Sequence, residues 1–132
     1  MLPALDHHAS KTWEQICPQH VLAEAAGVTA VGRWWGQVPK GEGRRTEERE
    51  VDVVGVDGSG STLAIGMCKW TEREIDFVEL NLLDRLAPYI GGVTEATHRY
   101  LFSRTGFSKR LAAHAATESA LHLITPADIY AS

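Results

Sequence analysis

The sequence predicts a single α/β domain over residues 1–132, with helices packed in layers on a central sheet. Helical and β patterns alternate along the chain, and 132 residues with 44% hydrophobic content suit one domain with an ordinary core. No internal repeat and no low-complexity tract interrupts this alternation. We therefore expect a compact three-layer domain.

The first elements are a helix, a strand and a polar loop. Apolar residues recur at helical spacing from about Ala9 to Ala26, with Pro18 as a potential kink. A strand is predicted over Val28–Trp35. The next segment, Gln37–Glu48, contains Pro, Gly and charges of both signs, so we expect an exposed and mobile loop there.

A hairpin follows between Glu50 and Trp70. Four valines make its first arm β-branched on both faces, which is typical of a buried strand, and Asp57-Gly58-Ser59-Gly60 supplies turn residues. Asp52 and Lys69 interrupt these apolar arms. Such charges are costly to bury unless they pair, bind a metal or take part in chemistry. A plain Asp52–Lys69 ion pair is the alternative to a functional site.

The second half of the chain predicts two helices and two short strands. Asp76 is the predicted N-cap of the second helix, whose apolar stripe ends near Pro88. The remaining predicted elements are a strand at Arg99–Ser103, a helix at about Ser108–Thr117 and a strand at Ala120–Ile124. The predicted order is therefore αβββαβαβ.

Charge and composition exclude several classes of protein. The formal net charge is −4, with 13 Lys plus Arg against 17 Asp plus Glu, so any contact with nucleic acid must be local. No apolar run approaches the roughly 20 residues of a membrane span, and residues 1–8 lack the features of a signal peptide. We expect a cytoplasmic protein without a membrane partner, whose two cysteines are reduced core residues. A homo-oligomer remains open.

Five segments in order resemble a known family. They are Trp13-Glu14-Gln15-Ile16-Cys17, Val31-Gly32-Arg33-Trp34-Trp35-Gly36, Glu50-Val51-Asp52-Val53-Val54, Gly66-Met67-Cys68-Lys69-Trp70 and Leu101-Phe102-Ser103-Arg104-Thr105-Gly106-Phe107. Together they resemble the PD-(D/E)XK nuclease superfamily, and more closely the C-terminal domain of unknown function of archaeal-type and bacterial AAA ATPases. The resemblance covers nearly the whole chain. It implies a restriction-endonuclease-like fold with an αβββαβ core and a mixed central sheet.

The resemblance also implies a site for DNA cleavage. Asp52 corresponds to the first metal ligand, Lys69 to the lysine that polarises water, and Glu14 to a helix acid of some members. Mg²⁺ or Mn²⁺ would be the cofactor, because hard cations prefer carboxylate oxygens. The second acid should stand two residues before Lys69, where this chain has Met67. A thioether is a poor ligand for Mg²⁺, so one carboxylate is missing.

Two acids are candidates to replace the missing carboxylate. Glu50 points to the same face as Asp52 by strand alternation, and Glu79 lies on the following helix, where some members carry a migrated acid. We assign Asp52, Glu14 and Glu50 as the candidate metal ligands, and Asp52, Lys69 and Glu14 as the candidate catalytic residues. Neither substitute has a spacing that compels its assignment.

Four residues are candidates for substrate contact. Arg104, Lys109 and Arg110 cluster around the start of the third helix, where free amides favour anions, and Trp35 is placed to stack on a base. Ordinary surface charge and a covered sheet face are the alternatives.

Two functions follow from these residues. The first, favoured by Met67, is a nuclease-like module with a degenerate metal site and no required cofactor, which binds DNA or regulates an AAA ATPase partner. The second is an active metal-dependent DNA endonuclease that uses Glu50 or Glu79 as a substitute acid.

Overall fold

The computed structural model describes residues 3–130, with side chains from residue 11 onward. In chain order the elements are α1 (Pro3–Glu24), β1 (Ala30–Pro39), β2 (Thr46–Val56), β3 (Thr62–Lys69), α2 (Phe77–Leu86) with a 3₁₀ turn at Ala87–Tyr89, β4 (His98–Ser103), α3 (Lys109–Ala115), β5 (Leu121–Ile124) and α4 (Pro126–Tyr130). Within this part of the chain no helix is both long and apolar enough to cross a membrane.

The five strands form one mixed sheet in the order β1-β2-β3-β4-β5. The pairs β1–β2 and β2–β3 are antiparallel, whereas β3–β4 and β4–β5 are parallel. The predicted αβββαβ core with a mixed central sheet is thus confirmed. Its topology is the one that the resemblance to restriction-endonuclease-like nucleases implies.

Two apolar clusters cover the two faces of the sheet and make the domain three-layered. One face packs against α1 through Trp13, Cys17 and Val21. The other packs against α2 and α3 through residues that include Leu83 and Leu111. We call these the α1-side core and the α2-side core. Each apolar face is removed from water by the helices laid on it, which is the main stabilising term of such a domain.

Several predicted boundaries were wrong. The first helix starts earlier than Ala9 and continues through Pro18 without a break. The predicted loop at Gln37–Glu48 is mostly strand, because β1 and β2 pair as far as Pro39 and Thr46. Only residues 40–45 connect them, and pairing of the backbone overrides the polar composition of this segment.

The caps and turn, in contrast, follow the sequence closely. Asp57 accepts hydrogen bonds from the backbone N–H groups of Ser59 and Ser61, which closes the β2–β3 turn. Ser108 caps α3 by accepting the N–H of Leu111 at 3.2 Å. Asp76 stands at the N-cap of α2 as predicted. These local rules fix where β3 and α2 begin, and so they position the end of β3 that carries Lys69.

Candidate functional site

A β-bulge places Asp52 at the centre of the candidate site. Gly32 of β1 pairs with Val54, but Trp34 pairs with Val51, so β2 carries one extra residue at this point. As a result Val51 lies in the α2-side core and Val53 in the α1-side core, although they are two residues apart. Simple alternation therefore fails across Asp52. Bulges of this kind redirect side chains and are common next to functional sites.

Asp52 is half-buried and has a raised pKa. Burial is the main cause of the increase, since desolvation disfavours the carboxylate. The backbone N–H of Cys68, which donates to Oδ2 at 2.8 Å, and the charge of Lys69 both oppose the shift in pKa. The structure thus shows a carboxyl held by β3 backbone, with Lys69 acting through its charge.

An open cleft of about 460 Å³ brings four of the predicted residues together. It lies between α1 and the strands β2 and β3, and its lining residues are Glu14, Glu48, Arg49, Glu50, Asp52, Met67, Cys68, Lys69 and Leu82. The predicted catalytic residues Asp52, Lys69 and Glu14 are all in this set, as is the predicted ligand Glu50. We refer to this set of residues as the cleft.

Met67 forms part of the cleft wall and belongs to the α2-side core. Its side chain is only 3% exposed and packs in the cluster that contains Ile65 and Leu80. The position where the resemblance expects an acid is therefore filled by an apolar side chain in close-packed surroundings. A carboxylate there would have to be buried among these apolar groups, which is costly unless a cation pairs with it.

Arg33 borders the cleft in the adjoining pocket that it shares with Glu14 and Asp52, a place that the sequence did not reveal. It lies on β1 at the bulge, and its guanidinium contacts two acids, with Nη2 3.6 Å from Glu14 Oε2 and Nη1 3.5 Å from Glu50 Oε1. In the sequence it is a residue of the predicted strand Val28–Trp35 to which no role was assigned. Its role depends on the register of β1 against β2, which composition does not determine.

The residues present do not fit a divalent metal site. Among the side chains of residues 11–130, no three His, Cys, Asp or Glu residues are grouped so that they could hold a metal ion. Glu14 and Glu50 are paired with Arg33, and Met67 offers no oxygen. The Cys17 thiol and burial raise the pKa of Cys68, so that thiol remains protonated and is not a ready ligand.

The second substitute acid, Glu79, has a different contact. Its Oε2 accepts the backbone N–H of Asp76 at 3.2 Å, which helps to cap α2. Glu79 does not line the cleft. Of the two substitutes considered from sequence, the structure brings only Glu50 next to Asp52.

The predicted anion site at α3 already contains a carboxylate. Asp76 accepts hydrogen bonds from Ser108 Oγ at 2.7 Å and from Arg110 Nε and Nη2 at 3.0 and 2.8 Å. Arg110 and Ser108 lower the pKa of Asp76 to about 2. We call Asp76, Ser108 and Arg110 the α2–α3 junction. Lys109 and Arg110 are both exposed, but the charge of Arg110 is paired with Asp76.

The other two predicted contact residues flank the cleft. The backbone N–H of Arg104 donates to the carbonyl of Lys69 at 3.1 Å, and its guanidinium lies 4.8 Å from the ring centre of Trp70. Trp35 is 65% exposed and pairs across the sheet with Glu50. Trp34 instead packs against the α2-side core, so the two tryptophans have opposite environments.

The chain is similar to a solved structure and matches a family of proteins. A crystal structure of a repair endonuclease from Pyrococcus abyssi is similar over 89% of this chain and 46% of that one, with 16% identity and a TM-score of 0.45. The chain thus spans less than half of that protein's length. No curated protein matches the chain. Residues 1–81, which contain Glu14, Asp52, Met67 and Lys69, match DUF234, described as "Archaea bacterial proteins of unknown function", and the chain belongs to this family.

Proposed function

We propose that this domain is a nuclease-like module that binds DNA without cleaving it. The observation that carries the proposal is Met67, which is 3% exposed in the α2-side core at the position of the expected second acid. Metal-assisted phosphodiester cleavage needs carboxylates that hold Mg²⁺ or Mn²⁺ and so activate a water molecule. Without this carboxylate, the metal site is degenerate.

The state of Asp52 supports the same proposal. Metal binding requires a deprotonated carboxylate, and burial raises the pKa of Asp52, so a metal would compete with a proton as well as with desolvation. In addition, Oδ2 already accepts the N–H of Cys68. The remaining acids, Glu14 and Glu50, are paired with Arg33. A metal would have to break several contacts to enter.

DNA contact is proposed at the cleft and at the adjoining end of β4. Lys69 lines the cleft and Arg104 follows β4 beside it, while Lys109 is exposed at the start of α3. These cations can contact phosphates, and the exposed ring of Trp35 offers a face for stacking on a base. Phosphate contacts by these three side chains do not require a basic chain, because interactions between exposed charges are largely screened beyond about 10 Å.

The test is DNA binding in the presence of a chelator. Fluorescence anisotropy with labelled single-stranded and duplex DNA should show binding that survives EDTA and weakens steeply as salt rises, as phosphate contacts require. Lys69→Ala should weaken it. Binding that needs Mg²⁺ or Mn²⁺ and disappears in Asp52→Ala would contradict the proposal and support the endonuclease with Glu50 as the substitute acid.

A second candidate function is docking on an AAA ATPase, which the resemblance implies. It is favoured by the pairing of Arg33, Arg49, Arg85, Arg99 and Arg110 with carboxylates inside the domain, which leaves fewer cations for phosphate. If this function is correct, DNA binding is undetectable at low salt and the domain changes the ATP hydrolysis rate of an ATPase region from the same family. An unchanged rate would contradict it.

A further inference from the structure

We propose that Arg33 is the resident cation of the cleft and takes the charge-neutralising role that a divalent metal has in the nucleases this chain resembles. Its guanidinium lies between Glu14 and Glu50, with all three side chains about half exposed, and so places a positive charge beside both acids. This inference goes beyond the proposed function, because it concerns how the acids are kept together whether or not DNA binds.

The geometry shows one cation shared by acids from two other elements. Arg33 lies on β1, Glu14 on α1 and Glu50 on β2, and each acid contacts a different terminal nitrogen of the guanidinium, at 3.6 and 3.5 Å. These distances are longer than those of strong charge-assisted hydrogen bonds. Arg33 therefore acts mainly through its charge, as a bridging ion would.

The charge balance of the cleft makes such a cation necessary. Glu14, Glu50 and Asp52 border a single cleft, and like charges so placed destabilise one another. Glu50 raises the pKa of Asp52 through its charge, whereas Arg33 and Lys69 lower it. The cleft and the pocket beside it are lined by four carboxylates, Glu14, Glu48, Glu50 and Asp52, and by four cationic side chains, Lys11, Arg33, Arg49 and Lys69. Arg49 is paired with Glu47 outside this set, whereas Arg33 contacts Glu14 and Glu50 directly.

Arginine differs from a metal in one respect that matters here. Its guanidinium stays protonated in proteins and is covalently part of the chain, so it neither dissociates nor titrates near neutral pH. The β-bulge fixes its place, since the register skips from Gly32 to Trp34 on β1 opposite the extra residue of β2. The charge of Arg33 therefore stays beside Glu14 and Glu50 at any metal concentration.

The experiment measures Mn²⁺ binding by isothermal titration calorimetry and the melting temperature with and without Mn²⁺. Arg33→Gln removes the charge, and Arg33→Lys is the matched control that keeps it. The wild type and Arg33→Lys should show no metal response. Arg33→Gln should melt lower in EDTA, bind Mn²⁺ measurably and show a Mn²⁺-dependent rise in melting temperature that the wild type lacks, because Glu14 and Glu50 lose their partner.

Two results would overturn the proposal. One is Mn²⁺ binding by the wild type that depends on Glu14 and Glu50; the other is an Arg33→Gln variant that folds and remains indifferent to Mn²⁺. If Arg33→Gln does not fold, an NMR measurement on the wild type alone still tests the proposal. Paramagnetic Mn²⁺ should not selectively broaden the amide NMR signals of Glu14, Glu50 and Asp52, and selective broadening would contradict the proposal.

Discussion

The cleft and the α2–α3 junction both combine a carboxylate with an arginine, but they use their charges differently. At the junction, Asp76 accepts hydrogen bonds of 2.7 to 3.1 Å from Ser108 and Arg110, and its pKa is lowered to about 2. In the cleft, the contacts of Arg33 are 3.5 and 3.6 Å long, and burial raises the pKa of Asp52. The junction stabilises the ionised form of Asp76, whereas burial in the cleft destabilises the ionised form of Asp52.

This difference separates a structural cluster from a candidate functional one. The junction joins the starts of α2 and α3 with charges that are satisfied within the protein. In the cleft, the carboxyl of Asp52 has a pKa raised by burial and lies beside an open volume. Such an arrangement is found more often where a protein binds a ligand or catalyses a reaction. The sequence suggested a metal site at the cleft and anion binding at the start of α3, and the geometry distinguishes the two clusters.

The largest expected effect comes from an acid at position 67. Met67→Glu should lower the free energy of unfolding by on the order of 3 kcal/mol, because it buries a charge in the α2-side core. Met67→Leu, which keeps an apolar side chain of similar size, should cost less than about 1.5 kcal/mol. Urea unfolding at neutral pH measures both. Equal stabilities of Met67→Glu and Met67→Leu would mean that a side chain at position 67 can reach solvent and that the cleft accommodates a carboxylate there.

The next comparison removes the charge from each cluster at neutral pH. Asp76→Asn should lower the melting temperature, because Arg110 and Ser108 lose an ionised acceptor. Asp52→Asn should leave the melting temperature unchanged or raise it, because an amide can still accept from Cys68 without the cost of burying a charge. A larger loss in Asp52→Asn than in Asp76→Asn would reverse our assignment of the two clusters.

The changes in stability caused by Asp76→Asn and Asp52→Asn should depend on pH with opposite signs. The folded-state pKa of Asp76, about 2, lies below its ordinary value, so its contribution is present at neutral pH and is lost as pH falls from about 4 towards 2. The pKa of Asp52 is raised, so its ionisation opposes folding at neutral pH and the penalty disappears as pH falls through that pKa. The effect of Asp52→Asn should therefore shrink at acid pH. Parallel pH profiles for the two variants would contradict the opposite shifts.

The smallest expected effect is on DNA binding outside the cleft. Lys109→Ala should reduce the slope of log affinity against log salt by about one, the value expected for one phosphate contact. Arg110→Ala should change the slope less, since Asp76 already neutralises that side chain. Anisotropy titrations at several salt concentrations compare the two. A larger change in Arg110→Ala would show that Arg110 exchanges Asp76 for phosphate.

Local rules in the sequence determined much of the fold. The hairpin turn at Asp57 and the caps at Asp76 and Ser108 were predictable because each depends on a side chain contacting backbone a few residues away. The helix α4 was missed, although Thr125 and Asp128 form a capping pair around Pro126, which is favoured at the start of a helix.

The geometry of the site could be predicted only in part. The grouping of Glu14, Asp52 and Lys69 followed from the order of motifs, and the structure places them in one cleft. The bulge at Asp52 and the bridging position of Arg33 depend on strand register. Register is set by packing of side chains far apart in sequence, which local patterns do not encode. For the same reason, most of the loop predicted at Gln37–Glu48 is strand in the structure.

The most direct test of the account is cleavage of supercoiled plasmid by the wild type in Mg²⁺ or Mn²⁺, with Asp52→Ala as the matched control. We expect no nicking above the level of Asp52→Ala, because Met67 removes one ligand and Arg33 holds the remaining acids. Metal-dependent nicking by the wild type that is lost in Asp52→Ala would contradict this account and would make the domain an active nuclease.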